Sequence, residues 1–124
     1  MCGIIGYFGH QPAKPILLEG LKKLEYRGYD SSGVCILNKA NFLIEKRVGP
    51  VAQLEQALDG DSIEGTIGIA HTRWATHGAP SEINAHPHSD CRGEIAVVHN
   101  GIIENYQTLK EFLIAEGHQF TSET

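Results

Sequence analysis

Basic residues and long apolar runs are both scarce in this chain of 124 residues. Ten Lys and Arg stand against fifteen Asp and Glu, and the formal net charge is −5. An acidic balance of this size disfavours binding to the phosphates of nucleic acid or to an anionic membrane surface. No apolar run approaches the roughly 20 residues of a membrane-spanning helix. The sequence therefore predicts a chain that has neither nucleic acid nor a membrane among its partners.

Cysteine is sparse as well, with only Cys2, Cys35 and Cys91. The N-terminus lacks the charged start and the long apolar stretch of a secretory signal peptide. An odd number of cysteines without an export signal argues against a disulfide framework. We therefore expect reduced thiols and a cytoplasmic location.

The remaining composition, 41% hydrophobic and 20% charged, is typical of one soluble globular domain. Apolar patterns and turn signals predict five strands, at residues 3–8, 34–37, 42–45, 66–70 and 94–99. Helices are predicted over residues 12–25, over a short stretch from Pro50, and after Asn105, the last with Leu109, Phe112 and Leu113 as its inner face. This order of elements predicts an α+β layered domain.

Cys2 is the first residue with distinctive chemistry, because only the initiator methionine precedes it. If Met1 is trimmed, Cys2 carries a thiol and a free α-amine on the same residue. An amine with a pKa of roughly 7.7–8.0 is a suitable general base for a thiol with a pKa of roughly 8.5. Cys35 and Cys91 have no adjacent base in the sequence. On position alone, the alternative interpretation of Cys2 is a small cysteine at the start of an edge strand.

Two further segments could complete a site for acyl transfer from an amide. The Asn100 side chain and the Gly101 backbone N–H can supply the two donors that a developing oxyanion needs. Arg73 lies in a long irregular segment, residues 71–90, and offers a planar, bidentate cation for a substrate carboxylate. Both assignments have alternatives, since Asn-Gly between apolar runs is also a strong hairpin signal and a single arginine is most often a solvated or ion-paired surface residue.

Five of the seven histidines invite a zinc hypothesis, namely His71, His77, His86, His88 and His99. Their spacing matches neither the His-Glu-x-x-His motif nor a Cys-x-x-Cys clamp. We therefore assign no metal ligand, and we expect His86-Pro87-His88 to shape the loop.

Five motifs stand in order along the chain: Met-Cys-Gly-Ile-Ile-Gly at 1–6, Leu-Glu-Tyr-Arg-Gly-Tyr-Asp-Ser-Ser-Gly at 24–33, His-Thr-Arg-Trp-Ala-Thr-His-Gly at 71–78, Asn-Ala-His-Pro-His at 84–88 and Val-His-Asn-Gly-Ile-Ile-Glu-Asn at 98–105. Together they resemble the glutaminase domain of the N-terminal-nucleophile (class II) glutamine amidotransferases, over essentially the whole chain. The second and third motifs together are similar to the branch of that family that converts fructose 6-phosphate to glucosamine 6-phosphate.

The resemblance implies a role for ten residues. Cys2, once Met1 is removed, would be the nucleophile with its own amine as base, and Asn100 and Gly101 would form the oxyanion hole. The glutamine-binding residues would be Arg73, for the α-carboxylate, and Trp74, Thr76 and His77, in the loop that closes over glutamine. Arg27, Asp30 and His86 would be supporting residues behind the site.

The resemblance also implies the fold and the reaction. The fold would be the four-layer αββα sandwich of N-terminal-nucleophile hydrolases, incomplete because residues 1–124 are only the N-terminal portion of a longer glutaminase domain that a sugar-isomerase region follows. The parent enzyme, a homo-oligomer, would hydrolyse L-glutamine and pass ammonia to fructose 6-phosphate without a cofactor, and the fragment alone would be inactive. Two alternatives stay open: a glutaminase domain of another amidotransferase, such as one for amidophosphoribosyl transfer, and a non-catalytic glutamine-binding regulatory module.

Overall fold

A four-stranded antiparallel sheet is the centre of the fold. The computed structural model of the chain describes residues 1–60 and 63–124. The strands are β1 (Gly3–Phe8), β2 (Ser31–Asn38), β3 (Asn41–Val48) and β4 (Ile67–Arg73), in the order β1-β4-β2-β3. Because β4 is central, its last residues lie beside the first residues of both neighbours, with Thr72 opposite Gly3 and Arg73 opposite Ser31. This register brings the N-terminus of the chain to the end of β4.

Two helices, α1 (Ala13–Leu24) and α2 (Val51–Leu58), cover one face of the sheet. In α1 the buried positions Ala13, Leu17 and Leu21 recur every four residues, which is the spacing of one helical face. In β2 the alternate residues Val34 and Ile36 point to the same side and are fully buried. The core therefore lies between these helices and the sheet, as expected for the α+β class.

The opposite face of the sheet carries polar residues instead. By the alternation of strand side chains, Gly33 of β2 and His71 and Arg73 of β4 lie on this face. Residues 84–88 pack against it, with the Lys46 ammonium donating a hydrogen bond of 3.0 Å to the Ala85 carbonyl. The absence of a side chain at Gly33 allows residues 84–88 to pack this close to the sheet, because a Cβ there would lie 2.1 Å from the His86 carbonyl oxygen.

The irregular segment is shorter than the sequence predicts, since residues 71–73 complete β4 and the loop begins at Trp74. It ends at a small second sheet, in which β5 (His88–Ser89) pairs antiparallel with β6 (Ala96–Val97). The predicted strand at 94–99 is thus mostly wrong. Its first two amides, those of Glu94 and Ile95, donate to the Asp90 carboxylate and not to a neighbouring strand.

The last helix, α3 (Tyr106–Ala115), starts after Asn105, as the sequence predicts, and is followed by Gly117 at φ +97°. Its predicted inner face is not buried, because Leu109 and Phe112 are 42% and 60% exposed. Within residues 1–60 and 63–124, α3 makes no extensive contact with another helix or strand. No helix of the described residues is long and apolar enough to cross a membrane.

Candidate active site

Eight of the ten predicted site residues line one cavity of about 730 Å³ on the polar face of the sheet. These residues are Cys2, Arg73, Trp74, Thr76, His77, His86, Asn100 and Gly101. The ends of β1 and β4, the loop after β4 and the segment after β6 bring them together. The other two, Arg27 and Asp30, contact residues adjacent to the cavity and are described below.

Cys2 immediately precedes β1, and the pairing of β1 with β4 fixes the position of Cys2. The Gly3 N–H donates a hydrogen bond of 3.0 Å to the Thr72 hydroxyl, which is buried. The Trp74 N–H donates to the Cys2 Sγ at 3.3 Å, and the thiol is 3.8 Å from the Trp74 carbonyl oxygen. The sulfur is half-buried and is held by the backbone of the residue that follows β4.

The other two cysteines differ from Cys2 in their surroundings. Burial raises the pKa of the Cys35 thiol to about 11, so that this side chain stays protonated at neutral pH. Cys91 is exposed, and its Sγ lies 3.5 Å from the His118 Nδ1. The expectation that Cys91 lacks a neighbouring base holds only along the sequence, because the fold supplies one from 27 residues away.

Asp30 connects the start of β2 to the end of β4. Its carboxylate accepts hydrogen bonds from the Ala75 N–H and, at 3.1 Å, from the Ser31 hydroxyl. Its own N–H donates to the Arg73 carbonyl at 2.7 Å. These bonds fix the backbone on both sides of Trp74, which is the residue that contacts the Cys2 sulfur.

Arg27 contacts the N-terminal residue of the chain, Met1. The Met1 ammonium donates a hydrogen bond of 2.7 Å to the Arg27 carbonyl, and the Arg27 guanidinium contacts the Met1 sulfur. The next residue, Gly28, has φ +104° and packs against the Trp74 ring, where a Cβ would lie 2.9 Å from Cε3. Residues 27–30 therefore support the N-terminus and the Trp74 loop, while the Trp74 side chain stays 52% exposed beside the cavity.

Arg73 is almost completely buried, with 4% of its surface exposed. Its guanidinium donates hydrogen bonds to the Ala79 carbonyl at 3.1 Å, to the Gly78 carbonyl at 3.2 Å and to the His77 carbonyl. We call residues 77–79 the cavity loop. Arg73 thus folds the cavity loop back on the end of β4, and this geometry is not that of a solvated surface arginine.

His77 leads the cavity loop and packs its ring edge-on against Tyr106 of α3, with 4.9 Å between ring centroids. Tyr106, which also lines the cavity, is not among the residues predicted from the sequence. Its position immediately after the motif at 98–105 was the only signal that could have identified it.

A stack of histidines forms the base of the cavity. His71 is fully buried and stacks on His86 with 4.3 Å between ring centroids, and His86 contacts His88 edge-on at 4.4 Å. Burial, with the nearby cationic groups adding to it, lowers the pKa of His71 and of His88 to about 4 and that of His86 to about 3. All three rings are therefore neutral at pH 7. Among the described residues, no group of three or more His, Cys, Asp or Glu is placed to hold a metal ion.

His86 also contacts the segment that contains the predicted oxyanion donors. Its Nδ1 accepts a hydrogen bond of 3.3 Å from the His99 N–H, one residue before Asn100. Asn100 and Gly101 do not form the alternative hairpin turn, because β6 ends at Val97 and pairs with β5. They are exposed along the cavity, with Gly101 at φ +149°.

Comparison with known proteins gives a consistent result. Over its whole length the chain is 60% identical to a glutamine–fructose-6-phosphate aminotransferase (isomerizing) from Caldanaerobacter subterraneus, 57% to one from Clostridium tetani and 54% to one from Pyrococcus horikoshii. It spans about a fifth of the length of these relatives, at their N-terminal end. No family model matches the chain.

Solved structures show the same fold. A glutamine phosphoribosylpyrophosphate amidotransferase from B. subtilis, complexed with ADP and GMP, matches all of this chain and 27% of its own with a TM-score of 0.81 and 27% identity. An allosteric regulatory enzyme of purine biosynthesis matches 98% of the chain with the same score and identity. The predicted fold of the N-terminal-nucleophile amidotransferases is therefore confirmed, for its N-terminal part.

Proposed function

We propose that this chain, which is homologous over its whole length to the N-terminal fifth of the glutamine–fructose-6-phosphate aminotransferases, is the N-terminal part of a domain that hydrolyses L-glutamine. The observation that carries the proposal is the convergence of Cys2, Arg73, Asn100 and Gly101 on one cavity, from three separate segments of the chain. Fold similarity alone would not specify a reaction, since one fold can host many functions.

The proposed nucleophile is the Cys2 thiolate, generated after removal of Met1 by the α-amine of the same residue. The hydrogen bond from the Trp74 N–H fixes the sulfur at the edge of the cavity. Cys35 is unsuited to this role because burial keeps its thiol protonated. Cys91 is exposed beside His118. Because Cys91 is an internal residue, its backbone nitrogen is an amide, and the residue has no α-amine to act as its base.

The reaction follows from these groups. The Cys2 sulfur attacks the carboxamide carbon of glutamine, and the carbonyl oxygen becomes an oxyanion that the Asn100 side-chain amide and the Gly101 N–H stabilise. Collapse of the tetrahedral adduct breaks the C–N bond, and ammonia leaves with a proton returned by the α-amine. Water then attacks the thioester, which releases glutamate and restores the thiol.

Glutamine binding is assigned to Arg73 and to the segment that it anchors. A guanidinium has five N–H donors in a planar fork, so Arg73 can hold the cavity loop and still contribute to binding the substrate α-carboxylate. Trp74, Thr76 and His77 also line the cavity and would enclose the rest of the substrate. Arg27, Asp30 and His86 are proposed as supporting residues: Asp30 and His86 contact the backbone next to a functional group, and Arg27 precedes Gly28, which packs against the Trp74 ring.

The proposed acceptor of the ammonia is fructose 6-phosphate, the sugar in the names of the relatives. Identity of 54–60% to these relatives, against 27% to the phosphoribosylpyrophosphate amidotransferase, favours it over the phosphoribosyl alternative. The acceptor site would lie outside residues 1–124, in the part of the relatives that the chain does not span. The homo-oligomeric state and cytoplasmic location implied by the family belong to the same proposal.

The test measures glutamate release from glutamine by a full-length chain that carries residues 1–124 at its N-terminus. Cys2→Ala is expected to abolish release, and Cys2→Ser to reduce it almost as far, because a hydroxyl is much harder to deprotonate with an amine. Cys91→Ala is the matched control and should keep full activity. Blocking the α-amine separates an enzyme from a binding module: an enzyme loses turnover, whereas a binder keeps its affinity for glutamine. Full activity in Cys2→Ala would overturn the proposal.

A further inference from the structure

Asn84 is a buried polar residue that the reaction outlined above does not use. It opens the Asn-Ala-His-Pro-His motif and is only 1% exposed. Its N–H donates a hydrogen bond of 3.2 Å to the Ser81 hydroxyl, and the next amide, that of Ala85, donates to the Ser81 carbonyl at 3.0 Å. The backbone around Asn84 is therefore fixed by a tight turn, and the Asn84 side chain can form hydrogen bonds with other segments.

The side chain of Asn84 joins two segments that are distant in sequence. Its Nδ2 donates to the Ala79 carbonyl at 3.0 Å and to the Glu123 carboxylate at 3.1 Å, while its Oδ1 accepts the Glu123 N–H at 2.8 Å. Both N–H groups and the carbonyl oxygen of the amide are thus engaged. A buried amide with every group paired rigidifies its surroundings, since any movement leaves a polar group without a partner.

The Ala79 carbonyl is the point at which Asn84 meets the site. The same oxygen accepts the hydrogen bond of 3.1 Å from Arg73, so that its two lone pairs are shared between Arg73 and Asn84. Gly78 also packs closely on the amide, because a Cβ there would lie 3.0 Å from the Asn84 Nδ2. The cavity loop is therefore held from one side by the Arg73 guanidinium and from the other by the Asn84 amide.

We infer that Asn84 is a positioning residue that holds the cavity loop against the end of β4, and that the Glu123 carboxylate orients the Asn84 amide for this task. The inference rests on the proposed function, in which Arg73 and His77 bind glutamine. Neither Asn84 nor Glu123 lines the cavity. Because they act through the loop and not on Cys2 or Asn100, their loss should weaken glutamine binding and leave the chemical step intact.

The kinetic test uses the same full-length chain. Asn84→Ala should raise KM for glutamine about tenfold with kcat within about twofold, as expected for loss of a well-formed hydrogen-bond network. Glu123→Gln keeps an acceptor oxygen for the Asn84 amide and should change KM by less than about twofold. Glu123→Ala removes that acceptor and should raise KM about three- to fivefold. Glu123 is exposed, so this variant should fold normally. Asn41→Ala, at the exposed β2–β3 turn, is the matched control.

Hydrogen exchange of the full-length chain separates this inference from the proposed function. Asn84→Ala should speed exchange of the amides of the cavity loop, residues 77–79, at least about tenfold, whether or not the chain hydrolyses glutamine, and Asn41→Ala should not. Absence of turnover in the wild type would refute the proposed function and leave this readout valid. Unchanged loop exchange in Asn84→Ala, or a fall in kcat with unchanged KM in both Asn84→Ala and Glu123→Ala, would overturn the inference.

Discussion

Replacing Gly33 by alanine tests whether residues 84–88 must lie flat against the sheet for the site to form. A Cβ at this position would lie 2.1 Å from the His86 carbonyl oxygen and 2.9 Å from the Lys46 Cγ. The lysine side chain can move aside, but the oxygen belongs to the backbone. Carbon and carbonyl oxygen approach to about 3.3 Å at closest in ordinary contacts, so the His86 backbone must shift by about 1 Å.

The effect on stability and the effect on activity have separate sources. Forcing an extra methyl group into a packed site costs about 1–3 kcal/mol in typical cases. The same shift moves the His86 ring, whose Nδ1 holds the His99 N–H next to the proposed oxyanion donor Asn100. A misplacement of about 1 Å in a catalytic geometry can reduce a rate by about a hundredfold. We therefore expect Gly33→Ala to lower kcat for glutamine hydrolysis by about ten- to a hundredfold.

The assay is steady-state glutamine hydrolysis by the full-length chain, with thermal unfolding followed in parallel. Gly6→Ala is the matched control, because Gly6 lies in β1 of the same sheet and a Cβ there meets no heavy atom of the described residues within 4 Å. Its activity should stay within about twofold of the wild type. A Gly33→Ala variant with wild-type kcat and an unchanged unfolding temperature would refute the reasoning.

Three further predictions concern the site. Asn100→Ala should lower kcat by about a hundred- to a thousandfold with little change in KM, as for one lost oxyanion donor, whereas a raised KM with unchanged kcat would indicate a turn or binding residue. Arg73→Lys should mainly raise KM for glutamine, because the charge stays and the fork is lost; an unchanged KM would count against the carboxylate assignment. Burial lowers the folded-state pKa of His71 from 6.5 to about 4, so the neutral ring stabilises the fold above pH 6.5 and this contribution is lost as pH falls towards 4. In urea unfolding, the contribution of His71 to the free energy of unfolding should therefore be about 2 kcal/mol lower at pH 5 than at pH 7. A His71→Gln variant whose stability has the same pH dependence as that of the wild type would contradict this.

The helices and strands predicted well from the sequence are those that pack against or pair with another element of the described chain. Helix α1 has its buried residues at helical spacing, and β2 and β3, which contain the strands predicted at 34–37 and 42–45, pair as a hairpin that turns at Lys39 and Ala40. The strand at 94–99 was predicted too long because strand propensity does not account for side chains that accept backbone hydrogen bonds. Here the Asp90 carboxylate accepts the N–H groups of Glu94 and Ile95, which are then not paired with a neighbouring strand. The inner face of α3 was predicted from periodicity, which indicates a face but not what packs on it.

Much of the candidate site could also be predicted, because its residues cluster in short motifs with recognisable chemistry. What the motifs could not indicate are contacts between residues far apart in sequence. Asn84 and Glu123 are 39 residues apart, and Cys91 and His118 are 27 apart. Neither pair has a local signature, since each forms only when the fold brings two loops together. The neutral state of His71 is likewise a result of burial, which no spacing reveals.

Cys2 is proposed as the nucleophile, with its own α-amine as the base. The most direct measurement treats the full-length chain with an electrophilic glutamine analogue and locates the adduct by peptide mass spectrometry. We expect one adduct, on an N-terminal peptide that starts at Cys2 without Met1, and protection of that adduct by excess glutamine. Equal labelling of Cys91, whose sulfur also has a basic neighbour, or labelling of an active chain that retains Met1, would contradict it.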